Sequence, residues 1–140
     1  MESTTALIAA AEYDEAVLYN GLGQYELALK AAQKAHAADD IVTSSWALFE
    51  LVEAASRSGR HEIARDAAER LAERTSVSGT AWAKGTEARS RALVEDGETA
   101  DGLHREAIES LRQRSHVLPQ PRYVDRNPEW NLIARLRGFG

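Results

Sequence analysis

The sequence has no cysteine, only three prolines, few aromatic residues and a shortage of cations. Without cysteine there are no disulfides and no thiolate metal sites, and nothing points to an oxidising compartment. No apolar run approaches the roughly 20 residues of a membrane helix. The stretch from Met1 to Ala11 has no basic flank, and Glu12 and Asp14 break its apolar character, so no signal peptide is expected. These absences lead to an expectation of a cytoplasmic protein. The formal net charge of −5 weighs against direct nucleic-acid binding, because phosphate contacts need clustered Lys and Arg. The imbalance is uneven. Residues 1–56 hold two Lys against nine acids, whereas residues 112–140 hold six Arg against two acids. That leaves an ordinary acidic chain with a basic tail, or a functional basic patch.

Alanine is abundant. It favours helix because it loses no side-chain entropy, and its small size lets helices approach closely. β-Branched residues are scattered and no alternating strand pattern appears. A chain of 140 residues buries roughly two-thirds of its unfolded surface, enough for one domain without staples.

Turn signals recur at near-constant spacing. Asn20-Gly21 with Gly23, Ser58-Gly59 and Asp96-Gly97 each interrupt helical pattern. Gly23 to Gly59 and Trp46 to Trp82 are both 36 positions, and Gly59 to Gly97 is 38. Such a period marks stacked helix pairs. Between the breaks, apolar residues follow helical spacing: Ala9, Tyr13, Ala16, Val17; Tyr25, Ala28, Leu29, Ala32; Leu48, Leu51, Val52, Ala55; Ala64, Ala67, Ala68, Leu71; Ala100, Leu103, Ala107, Leu111. A fifth stripe is made of small residues: Ala81, Gly85, Ala88 and Ala92. The spacing predicts helices over 4–19, 24–38, 43–58, 61–75, 78–95 and 98–114. Thr43 or Ser44 is the expected cap of the third and Ser78 of the fifth. Beyond Arg114, Pro119 and Pro121 rule out continued helix. Asn127-Pro128-Glu129 predicts a short new helix carrying Trp130, Ile133 and Leu136.

The first unit reads Ala16, Tyr19, Gly23, Tyr25, Ala28, Ala35, and the second Leu48, Leu51, Gly59, Ala64, Leu71. This resembles the tetratricopeptide repeat, in which Gly-x-Tyr makes the turn and alanines seat one helix on its mate. The third unit fits loosely, with Gly102 near the close-contact position. Glu12 and Glu15 depart from the pattern, which prefers apolar residues there. The stretches 16–25, 44–55 and 79–93 are similar to the helical arm of large LuxR-type bacterial transcriptional regulators. The likeness covers about residues 5–114. It implies an arm that binds partners or an inducer, without the regulators' nucleotide-binding and helix-turn-helix modules. No phosphate loop is present: Lys84-Gly85-Thr86 lies within a helical pattern, where its amides are committed to helix bonds.

Other chemistry is thin. His61-Glu62 begins a zinc-helix motif, but Arg65 stands where the second His is required. His36, His61, His104 and His116 fall in separate segments. Acid pairs such as Asp39-Asp40 and Glu95-Asp96 sit at turns, where carboxylates are ordinarily just hydrated.

The expectation is therefore an all-α superhelix of about three tetratricopeptide-like helix pairs over 1–114, with a Pro- and Arg-containing tail and short helix over 115–140. It is expected to be non-catalytic, with no cofactor and no metal. The expected partner is a protein, a peptide or a second copy, and the alternative is a small-molecule inducer. Candidate contact residues are Trp46, Arg57, Trp82, Arg89 and Trp130. The bland reading of Trp46 and Trp82 is core between repeats, and that of the arginines is pairing with Glu62, Asp66, Glu69 and Glu87 along helix faces.

Overall fold

The computed structural model describes residues 2–115, so the tail, its short helix and Trp130 lie outside the described residues. Those described are all-helical: α1 (Glu2–Gly21), α2 (Tyr25–Ala37), α3 (Ile41–Arg57), α4 (His61–Ser78), α5 (Ala81–Ala92) and α6 (Gly97–Ser115). Consecutive helices pack on one another, and α1, α3 and α5 also touch in a row. The result is an α–α superhelix of three hairpins. No helix among the described residues is long and apolar enough to cross a membrane.

The first two hairpin turns are the same device placed 36 positions apart. Gly23 has φ of 74° and Gly59 of 76°, left-handed conformations that glycine adopts without steric cost. The amide of Gln24 donates to Tyr19 O at 2.8 Å, and that of Arg60 to Ala55 O at 2.8 Å. Gly23 and Gly59 donate to Asn20 O and Ser56 O. These paired bonds satisfy the last carbonyls of α1 and α3 and reverse the chain. Neither α2 nor α4 has a side-chain cap; the turn itself fixes their start.

Two caps differ from the sequence expectation. Asp40, immediately before Ile41, caps α3 by accepting from the Thr43 amide at 3.1 Å, while Thr43 and Ser44 are already helical. Ser78 closes α4 and does not open α5. Gly79 ends α4 in a left-handed conformation, and Thr80 caps α5 by accepting from the Ala83 amide at 3.1 Å. Helix α5 stops at Ala92, short of the expected 95. Local propensity could not decide between neighbouring Ser, Thr and Asp; the turn geometry did.

The apolar core falls into two clusters. The larger runs through α1–α4 and includes Ala16, Ala28, Leu48, Val52, Ala64 and Leu71, with Leu93 and Val94 packed against it. The smaller joins α5 to α6 through Ala88, Ala92, Leu103 and Ala107. Burying a leucine such as Leu48 contributes about 1.5–3 kcal/mol, and the larger cluster holds Leu29, Leu48, Leu51 and Leu71 where the smaller holds Leu103. Helices α5 and α6 approach most closely at Gly85, where an added Cβ would lie 2.8 Å from Leu111 Cγ and 3.2 Å from Ala107 O. Gly102, the residue expected at the close contact, has open space around it.

Candidate interaction surface

Aromatic pairs tie the first helices of successive hairpins together. Tyr13 on α1 meets Trp46 on α3 edge to face, centroids 5.9 Å apart. Phe49 on α3 meets Trp82 on α5 in the same way at 5.5 Å. Both members of the second pair stand 36 positions after those of the first, so one contact is repeated by the superhelix. The next position in the series is occupied by Gly85, where α6 comes too close for any side chain. Trp46 and Trp82 thus each meet an aromatic ring of the first helix of the preceding hairpin edge to face. Trp46 also keeps 43% of its surface in solvent, and Trp82 is half-buried.

The candidate arginines have diverse surroundings. The guanidinium of Arg57 lies 5.6 Å from the Tyr25 ring centroid, and its Nε is 3.4 Å from Glu53 Oε1. It is exposed and held by a cation–π contact as well as by charge. Arg89 is no surface contact: it is 4% exposed, and its Nη2 lies 2.6 Å from Glu53 Oε2. Arg60 pairs with Glu26 across the second and first hairpins at 3.7 Å, and Arg91 with Glu87 along α5 at 3.8 Å. Trp46 and Arg57 lie at opposite ends of α3, about 16 Å apart along its axis. The structure therefore does not gather the candidate residues into one pocket.

Buried polar residues that sequence reasoning passed over organise the seam between hairpins. Asn20 donates through Nδ2 to Glu50 O at 3.0 Å and to Glu50 Oε2 at 2.8 Å, joining α1 to α3. The Ser56 hydroxyl donates to Leu93 O at 2.5 Å, and the Glu53–Arg89 pair joins α3 to α5. His36 and Ser44 join α2 to α3. Asn20, expected as turn punctuation, lies in the last turn of α1 and reaches inward to Glu50.

A groove of about 340 Å³ opens between α4 and α5, lined by Arg65, Glu69, Glu87, Arg91 and Glu95 together with Ala68, Ala72 and Val94. Lys84, Gly85 and Thr86 lie inside α5, their backbone in helical form. No group of three or more His, Asp or Glu side chains that could hold a metal occurs among the described residues. Among the described residues, the large exposed apolar side chains Leu7, Ile8, Leu18, Leu22, Leu27, Ile41, Val42 and Trp46 belong to α1, α2, α3 and the turn after α1, and Val77 belongs to α4. Comparison with protein-family models, curated proteins and solved structures finds no match to this chain.

Proposed function

We propose that the chain is a non-catalytic helical-repeat interaction module, similar to the tetratricopeptide-like arm of LuxR-type regulators, that binds a protein or peptide partner. One observation carries the reading. Among the described residues, the large exposed apolar side chains other than Val77 come from α1, α2, α3 and the turn after α1. Exposed apolar surface concentrated in one part of a fold marks a binding site more often than single exposed residues do. The exposed face of Trp46, braced by Tyr13, supplies a rigid aromatic anchor of the kind that dominates interface energetics. A photo-crosslinking residue placed in living cells at Trp46 is expected to yield a discrete adduct, and one at Glu73 none. Adducts of equal yield from both positions, or from neither, overturn the reading.

A small-molecule sensor is the second reading, favoured by the groove between α4 and α5. Its volume of about 340 Å³ lies within the range of ligand sites, and its mixed Arg and Glu lining suits a zwitterion. A metabolite panel that shifts tryptophan fluorescence, with the response lost in Arg65→Ala, supports this alternative.

A further inference from the structure

We infer that the outward face of α1 is a docking surface for a cationic amphipathic helix of a partner protein. The inference rests on the interaction-module reading and adds to it the place and the partner's chemistry.

The argument starts from the repeat register. Shifting α1 by 36 positions places Ala11, Asp14 and Leu18 on Ala47, Glu50 and Ala54 of α3; a second shift places them on Ala83, Thr86 and Ser90 of α5. All six counterparts are buried, whereas Ala11, Asp14 and Leu18 are all exposed. In α3 this side of the helix is covered by the hairpin before it: Glu50 meets Asn20 of α1, and Ser44 meets His36 of α2. On α1 the same face is exposed. An ordinary solvent face at this position would be polar. Instead Leu7 is 71% exposed, Ile8 59% and Leu18 57%. Leu7, Ala11 and Leu18 follow the i, i+4, i+11 spacing of a single helical stripe, opposite the buried Ala9 and Ala16. This side of α1 is therefore apolar enough to receive a further helix.

The charge identifies the occupant. Glu12, Asp14 and Glu15 lie in the middle of α1, which contains no basic residue, and among the described residues the ion pair of the three is Glu12 with Lys34 of α2. Asp14 and Glu15 are exposed beside the apolar stripe. A second copy docked α1 to α1 about a twofold axis near the middle of the helix would bring these carboxylates together, because they stand between Ala11 and Leu18. Like charges so placed disfavour that pairing. The outer side of α6 is no better a match, since Asp101, Arg105, Glu109 and Arg112 are exposed there. A helix with apolar residues at three- and four-residue spacing and Lys or Arg beside them meets both requirements.

The test uses the full chain and a labelled 18-residue Leu/Ala/Lys peptide of helical periodicity, with a Leu/Ala/Glu peptide of the same pattern as control. Fluorescence anisotropy is expected to give at least tenfold tighter binding of the Lys peptide. Leu18→Asp is expected to weaken it at least tenfold, and the pair Asp14→Lys with Glu15→Lys to reverse the charge preference. Both sites are exposed, and circular dichroism verifies the fold; Ile8→Asp serves as a second variant. Equal affinity for the two peptides, or unchanged binding by Leu18→Asp and Ile8→Asp, overturns the proposal. So does light scattering that finds a dimer dissolved by Leu18→Asp, which makes a second copy the occupant. If crosslinking from Trp46 captures a partner while the peptides fail, the interaction module stands and this docking face falls.

Discussion

Glu53 and Arg89 meet at 2.6 Å in the seam between α3 and α5, both almost wholly buried and separated by 36 positions, one repeat of the superhelix. Charges taken from water need close partners, and here the partner of each is the same register position one hairpin along. Arg89 Nη1 finds no hydrogen-bond partner among the described residues, so the pair offsets the burial incompletely. Removing Glu53 leaves the Arg89 guanidinium buried and uncompensated, whereas Glu53 without Arg89 keeps the Arg57 guanidinium at 3.4 Å. Glu53→Leu alone is expected to cost about 3–5 kcal/mol. The double variant Glu53→Leu with Arg89→Met is expected to lose far less, because no charge is stranded. Urea denaturation of the cycle measures the coupling; additive losses contradict the account.

The two apolar clusters predict unequal stability along the chain. Leu103, three alanines and Leu111 against Gly85 hold α5 to α6, and polar contacts, Phe49–Trp82 and the partly buried Leu93 and Val94 hold that hairpin to the rest. Amides of α5 and α6 are expected to exchange through a partial opening at lower free energy than those of α3. Leu103→Ala is expected to speed exchange in α5 and α6 alone. Leu48→Ala, in the larger cluster, is expected to cost about 2–5 kcal/mol and to speed exchange throughout. Uniform protection across all six helices contradicts this picture.

Two glycines inside helices give opposite expectations. Gly85→Ala forces a methyl group against the branch carbon of Leu111 and the Ala107 carbonyl, and neither is a free side-chain end that can swing away. A loss of about 1–3 kcal/mol is expected. Gly102→Ala meets open space and gains helix propensity, up to about 1 kcal/mol. Thermal unfolding of the two variants should move Tm in opposite directions, and a shared direction refutes the packing argument.

Asp40 makes the start of α3 sensitive to acid. The Thr43 hydroxyl, and then the Thr43 amide, hold its carboxyl below the ordinary aspartate value. A depressed folded pKa means that the cap contributes stability above the unfolded aspartate value and loses it as pH falls through the folded one. The Thr43 amide is therefore expected to exchange faster once the pH drops below the usual aspartate range, whereas Asp40→Asn shows no such step. NMR titration of the Asp40 carboxyl checks the sign, and a midpoint at or above that of a free peptide reverses it.

Much of the fold was legible in the residues themselves. Three- and four-residue spacing of Ala and Leu specified helices, and the Gly23 and Gly59 turns specified hairpins, because only glycine takes a left-handed backbone without steric cost. These are local properties, read within one helical turn. The choice of Asp40 over Thr43, of Thr80 over Ser78 and of Gly85 over Gly102 lay beyond local reading, since each depends on where a second segment arrives. A signal for the buried seam was present in the sequence: Glu53 and Arg89 are opposite charges one period apart. Nothing local distinguished them from the exposed Glu and Arg around them.

The sequence by itself determined the helices, their turns and their repeat length, because backbone conformation answers to near neighbours. Only the tertiary structure decided which faces are covered. The same register position is solvent-exposed as Leu18 and fully enclosed as Ala54, and the difference lies entirely in whether another helix stands beside it.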